Sequence, residues 1–147
     1  MSGNEDHFRR LERMYLGAPN NDYYRPEITI GEGSAELRIV IEEKFFHAAG
    51  AVHGSVYFKA MDDAAFFAAN SVVEDVFVLT TSFNIQLLRP VTEGTFIAKG
   101  TLVSATRNLL IADAELRDDR DRLLGRGTGT FIRSQMLLED TPGYVSE

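Results

Sequence analysis

The stretch HGSVYFKAMDDAAFFAAN, His53 to Asn70, has the composition of an enclosed helix interrupted by two adjacent carboxylates, Asp62 and Asp63. Between Ser55 and Ala69 the only charged residues are Lys59, Asp62 and Asp63; Val56, Tyr57, Phe58, Met61, Phe66, Phe67 and several alanines cover nearly the whole circumference. A helix apolar almost all round is buried by the rest of its fold. Ionised carboxylates on such a helix are costly unless they are paired, hydrogen-bonded or used. Asp63 follows Lys59 by four residues and Asp62 follows it by three. Side chains meet at both spacings, so geometry alone leaves the partner of Lys59 open. A purely structural role, with both carboxylates at a solvated edge or capping a loop, is open at this level too.

Just upstream, GAVHGS places His53, Gly54 and Ser55 at the helix start. Unpaired N–H groups and the positive end of the helix dipole favour an anion or a developing oxyanion there, and glycine permits close backbone approach. Gly54 and Asp62 are eight residues apart, about 12 Å along a helix axis. One carbonyl cannot touch both. If both act on the same carbonyl, one comes from a second subunit, with two such helices antiparallel about a two-fold axis. A homodimer is the expectation.

Residues 4 to 16 can form a helix with Phe8, Leu11, Met14 and Tyr15 on one stripe, ended by Gly17, Pro19 and the Asn20-Asn21 pair. Residues 1–20 therefore read as an N-terminal helical appendage, a lid or packing piece. From Glu27 the period becomes two, with EITI, a turn at Gly31 to Gly33 and SAELRIVI forming a hairpin. EKFFHAAGAV is a loop leading to the helix. Four further strands are expected at Val76 to Leu88, Thr95 to Ala105, Leu109 to Leu116 and Leu123 to Ser134, joined by turns such as PVTEG and RDDRDR. Residues 135–147 read as a C-terminal tail, of which EDTPGYVSE looks frayed. The pattern predicts one α+β domain, 1–147, in which an antiparallel sheet wraps around one long central apolar helix. GRGTG at Gly125 to Gly129 is not a G-x-G-x-x-G loop and lies within a strand pattern, so it reads as close strand packing.

Composition narrows the chemistry. The 147 residues suit a single domain, and 44% hydrophobic with 25% charged residues is ordinary for a folded soluble chain. A net charge of −7 opposes a phosphate backbone, so nucleic acid is not an expected partner. The absence of cysteine excludes disulfides, iron–sulfur ligation and a thiol nucleophile. Three histidines without an H-E-x-x-H helix give no metal signal, and no G-x-S-x-G elbow is present. The start MSGNEDHFRRLERMYLG has no apolar signal core. No run approaches the ~20 apolar residues of a membrane span. A cytoplasmic protein with no membrane partner is expected.

With these residues in view, HAAGAVHGSVYFKAMDDAAFFAANS resembles the signature of hotdog-fold thioesterases of the phenylacetate-degradation (PaaI) type, within the 4-hydroxybenzoyl-CoA thioesterase superfamily. The family pattern is approximately N-x-x-G-x-x-H-G-G followed by an aspartate. Gly50, His53 and Gly54 stand at the expected spacings, and Asp62, nine residues after the histidine, falls on the catalytic carboxylate's position. The later stretches TTSFNIQLLRPVTEGTFIAKGTLVSATRNLLIADAELRD and LLGRGTGTFI are also similar, so the resemblance runs from about Ile28 to Ile132. Two positions depart from the pattern: His47 stands where the family often has asparagine, and Ser55 replaces the second glycine.

The resemblance implies hydrolysis of acyl-coenzyme A to a free acid and coenzyme A, with no cofactor, in a homodimer or dimer of dimers. Asp62 would act as general base or nucleophile, and Gly54 N–H would polarise the carbonyl from the facing subunit. Thr80 occupies the position of a hydroxyl that holds the water; as a plain strand residue it needs no role. His53 would position its loop, and His47 would donate a hydrogen bond near the carbonyl or the leaving sulfur. Arg89, Arg107 and Asn108 stand where the family contacts coenzyme A, although a surface arginine is usually only solvated. Ser55 is grouped with them, or caps the helix. Two other functions fit the same framework, a non-catalytic acyl-CoA-binding module and a hotdog enoyl-thioester hydratase or dehydratase.

Overall fold

The structure, a computed structural model, describes residues 3–146; residues 1, 2 and 147 of the expected appendage and tail lie outside it. Two helices, α1 (Gly3–Leu16) and α2 (Asn21–Tyr24), precede the hairpin β1 (Glu27–Gly31) and β2 (Ser34–Val40). A 3-10 turn at Glu43–Phe45 leads to the long helix α3 (Gly54–Asn70). Strands β3 (Val76–Leu87), β4 (Thr95–Ala105), β5 (Leu110–Arg117) and β6 (Leu123–Leu137) follow. They form one six-stranded sheet in the order β1-β2-β4-β5-β6-β3, antiparallel at every pairing.

The helix lies against the sheet because its contacting residues are small. Ala60, Ala64, Ala65, Ala68 and Ala69 have no exposed surface. A Cβ at Gly100 of β4 would come within 2.1 Å of the Ala64 carbonyl oxygen, so the two backbones approach where neither carries bulk. Leu37, Ile39, Phe96, Leu110, Leu116 and Phe131 supply the sheet side of the core. The Gly125 to Gly129 stretch is close strand packing, as its pattern suggested. A Cβ at Gly127 or Gly129 would strike the Phe83 ring, at 2.7 and 2.6 Å.

Each edge of the sheet is treated differently. On β1, Ile30 donates its N–H to Glu12 at 2.8 Å and accepts from Arg9 at 2.6 Å, so α1 covers that edge with the Arg9–Glu12 pair. Among the described residues the outer edge of β3 has no strand beside it, and Leu79, Leu87 and the neighbouring Phe58 of α3 are exposed. Unpaired strand edges are templates for further pairing.

The C-terminal segment differs from the expected frayed tail. Strand β6 continues to Leu137, and Leu138 is fully buried. The His7 Nε2–H donates to the Asn70 carbonyl at 2.9 Å, and Nδ1 meets the Tyr144 hydroxyl at 2.6 Å. Gly143, at φ +88°, turns the chain against Met14. The segment lacks periodicity because single anchors, Leu138 and Tyr144, hold it instead of a repeating face. Phe8, Leu11, Met14 and Tyr15 of α1 are buried as their stripe predicts. Among the described residues no helix is long and apolar enough to cross a membrane.

Candidate active site

At the start of α3, His53 is the N-cap, and its Nδ1 accepts the Ser55 N–H at 3.0 Å and lies 2.8 Å from Ser55 Oγ. Accepting a backbone N–H leaves Nδ1 unprotonated and puts the proton of the neutral ring on Nε2. The Val56 N–H is taken by the His53 carbonyl at 3.0 Å. Gly54 N–H has no acceptor among the described residues, so one backbone donor at the positive end of the helix stays available.

Gly54 lines a cleft of about 290 Å³ together with His47, Tyr57, Leu87 and Arg89. The Tyr57 hydroxyl donates to the Arg89 carbonyl at 2.6 Å, tying the β3–β4 connection over the first turn of α3. His47 Nδ1 accepts the Ala49 N–H at 3.1 Å, which leaves its Nε2 as the outward donor. His53 and Ser55 do not line this cleft; they lie beside Tyr23, Tyr24 and Lys44.

Two turns further along α3 the aspartates separate. Asp63 accepts from Lys59 Nζ at 2.7 Å and from the Tyr15 hydroxyl at 2.6 Å, which settles the partner of Lys59. Lys59 Nζ also lies over the rings of Tyr15 and Tyr24, at 5.2 and 5.1 Å from their centroids. Asp62 instead accepts from Thr80 Oγ1 of β3 at 2.9 Å. Burial, opposed by the Thr80 hydrogen bond and reinforced by the Asp63 charge, pushes the Asp62 carboxyl up to about 6. Burial, then the Asp63 charge, holds the Tyr15 hydroxyl far above its ordinary range, so it remains a donor.

Asp62 and Thr80 line a cavity of about 470 Å³ bounded by α1, α3, β3 and the C-terminal segment. Tyr15, Lys59, Phe66 and Phe77 also line it. The Tyr15 contribution was not visible in the sequence, where its only signal was a place on the apolar stripe of α1. Arg107 and Asn108 are in the β4–β5 turn, which Arg133 holds by donating to the carbonyls of Thr106 and Arg107 at 2.6 and 2.9 Å. Strand β4 runs from Phe96, against Tyr57, past Gly100, against Ala64, to this turn. Within one chain, Arg107 and Asn108 are therefore at the opposite end of β4 from the Gly54 cleft. The nine predicted residues fall into four groups: Asp62 with Thr80, Gly54 with His47 and Arg89, His53 with Ser55, and Arg107 with Asn108.

A six-stranded antiparallel sheet packed on one long helix is the hotdog fold, and the family that matches the chain makes it a hydrolase. The chain belongs to the thioesterase superfamily, which matches residues 49–124, just over half its length. It is similar to a Saccharolobus solfataricus protein named "Putative esterase SSO1253", 27% identical over 101 residues that span 69% of this chain and 67% of that one. Among solved structures, the E. coli PaaI protein from the phenylacetic acid degradation operon superposes with a TM-score of 0.83. It is 18% identical, over 92% of this chain and 99% of that one, a likeness of fold alone. A thioesterase family protein from Silicibacter pomeroyi is 26% identical, with a TM-score of 0.78 over 88% and 97% of the two chains.

Proposed function

We propose that the protein is a cytoplasmic acyl-CoA thioesterase of the PaaI type, acting as a homodimer, or a dimer of dimers, with Asp62 as its catalytic carboxylate. The observation that carries this reading is the pairing of Asp62 with Thr80 at 2.9 Å inside the 470 Å³ cavity. Asp63 beside it is already neutralised by Lys59 and Tyr15. A carboxylate raised to about 6 is ionised at neutral pH yet a stronger base than an exposed aspartate.

In the proposed reaction, Asp62 takes a proton from water held with Thr80 as the water oxygen bonds to the thioester carbonyl carbon. Alternatively Asp62 attacks the carbonyl directly, expelling the thiolate, which takes a proton from water, and the transient anhydride is then hydrolysed by water to the free acid and Asp62. The tetrahedral oxyanion is met by Gly54 N–H of the facing subunit. Its collapse breaks the carbon–sulfur bond, and the leaving sulfur receives the proton held on Asp62 while His47 Nε2–H donates a hydrogen bond to it. No cofactor enters these steps. Arg89, in the Gly54 cleft, is suited to the coenzyme A phosphates. Arg107 and Asn108 would meet them only from another subunit. His53 serves the reaction by capping α3 at the Ser55 N–H, which leaves Gly54 N–H free.

The test is turnover of a panel of aromatic and short-to-medium acyl-CoA esters, with a thiol reagent reporting released coenzyme A. Release that Asp62→Asn reduces at least about 10³-fold supports the assignment; full activity in that variant rejects it. Saturable binding without release would identify an acyl-CoA-binding module, and hydration of enoyl-CoA a hydratase.

A further inference from the structure

Asp62 and Asp63 are consecutive on α3 and line the same cavity. Two carboxylates that share a site repel each other, and the repulsion drives a proton onto one of them. A base has to be ionised to act, so the charge on Asp63 needs an answer of its own. The superfamily match, residues 49–124, contains one partner for it, Lys59. The other partner, Tyr15 of α1, comes from outside that span.

Both donors converge on one oxygen. Lys59 Nζ and the Tyr15 hydroxyl lie 2.7 and 2.6 Å from Asp63 Oδ2, while Asp62 receives Thr80 on its Oδ1. Tyr15 is also held in place independently of Asp63. Its ring meets Phe67 edge-on at 5.0 Å, its carbonyl accepts Asn21 Nδ2 at 2.7 Å, and only 6% of the residue is exposed. Lys59 Nζ in turn lies over the Tyr15 and Tyr24 rings and 3.4 Å from Asn20 Oδ1. A partly buried ion pair adds little net stability beside apolar residues of similar volume, so stability alone is a poor account of an assembly drawn from α1, α2 and α3. Its chemical effect is to fix the Asp63 charge between an ammonium and a hydroxyl, next to a carboxylate with a single side-chain donor among the described residues.

We propose that Tyr15 is a positioning residue for the catalytic base: with Lys59 it holds Asp63 Oδ2 and so leaves Asp62 ionised and available to the substrate. Helix α1 is thereby a working part of the active site as well as a packing piece. The inference rests on the reading of Asp62 as the catalytic carboxylate. The titratable groups around the two aspartates are Tyr15 from α1, Tyr24 from α2 and Lys59 from α3; β3 and the C-terminal segment bring Thr80 and Thr141 to the cavity, and neither titrates. Burial is the first cause of the raised Asp62 carboxyl, and the Asp63 charge adds to it. Less compensation of Asp63 therefore means a less ionised Asp62.

Carboxyl 13C NMR of protein labelled at aspartate, with the Asp62 signal assigned by its loss in Asp62→Asn, follows this titration without requiring turnover. Tyr15→Phe keeps the ring against Phe67 and Lys59 and removes the hydroxyl. It is expected to raise the Asp62 midpoint by about 0.5 pH unit and to lower kcat/KM about twofold near pH 6, a deficit that shrinks as the pH rises. In an Asp63→Asn background the same substitution should move the midpoint by less than about 0.1, because no charge remains for the hydroxyl to hold. Tyr15→Leu also lacks the hydroxyl and should raise the midpoint in the same direction, so either folded variant decides. An unmoved midpoint, an equal shift with and without Asp63, or a loss of kcat/KM that is the same at every pH would overturn the role of Tyr15. The expected shifts in a protein that releases coenzyme A from no ester would uphold the coupling of Tyr15 to Asp62 and reject the thioesterase reading.

Discussion

Asp63 shares its charge with Lys59 and the Tyr15 hydroxyl, whereas Asp62, among the described residues, has Thr80 alone as a side-chain donor. This difference gives the two carboxylates opposite responses to mutation. The Asp62 carboxyl is raised from 3.8 to about 6, so the folded protein holds a proton between those pH values that the unfolded chain releases. Its contribution therefore favours folding as pH falls through 6 and opposes it above. Asp62→Asn, which removes the buried charge and keeps an acceptor for Thr80, is expected to lose activity and to gain about 2 kcal/mol at pH 7 by denaturant unfolding, an upper figure because the group is partly wet. The acid limb of kcat/KM is expected near pH 6. Thr80→Val removes the hydrogen bond that lowers this pKa and should move the limb to higher pH; Asp63→Asn removes a charge that raises it and should move the limb lower. Movement of either limb in the opposite direction would show that Asp62 is not the titrating base. The Lys59–Asp63 spacing was legible in the sequence as one of two options. Tyr15 was not, because its partner is 48 residues away and local periodicity carries no information about such a contact.

At the scale of elements, α3 depends on what the sheet leaves out. Gly100→Ala would drive a methyl group into the Ala64 carbonyl, 2.1 Å from the new Cβ. With helix backbone as the obstacle, a loss of about 3 kcal/mol and a fall of roughly 10 °C in Tm are expected by calorimetry. An unchanged Tm would mean that α3 does not pack on β4 at this point. Elements with a strong period were readable from sequence: α3 begins and ends at Gly54 and Asn70 as predicted, and β4 spans Thr95–Ala105. The C-terminal segment was misread because Leu138, Gly143 and Tyr144 each make one specific contact and share no face. His53 capping its own helix through Nδ1 was also hidden, since histidine is not among the residues that signal an N-cap.

For the whole molecule, the separation of Gly54 and Asp62 into different cavities makes a prediction about subunits. Gly54→Val, with its branched side chain over the free N–H, and Asp62→Asn should each be inactive as homodimers. Mixed and re-equilibrated, they should regain activity, since the heterodimer pairs one intact Gly54 with the other chain's intact Asp62. Absence of rescue, with heterodimers shown by native mass spectrometry, would place both groups in a single chain's site.

The uncovered edge of β3 bears on how the protein survives heating and dilution. A lone subunit would carry a 12-residue strand with unpaired backbone groups and the exposed side chains of Leu79, Leu87 and Phe58 beside it, a surface that recruits any other strand it meets. Dissociation would then lead to aggregation as readily as to unfolding, so Tm should rise with protein concentration and heating of dilute samples should end in irreversible light scattering. The strand that carries Thr80 would be, with its edge bare, the route by which the protein is lost.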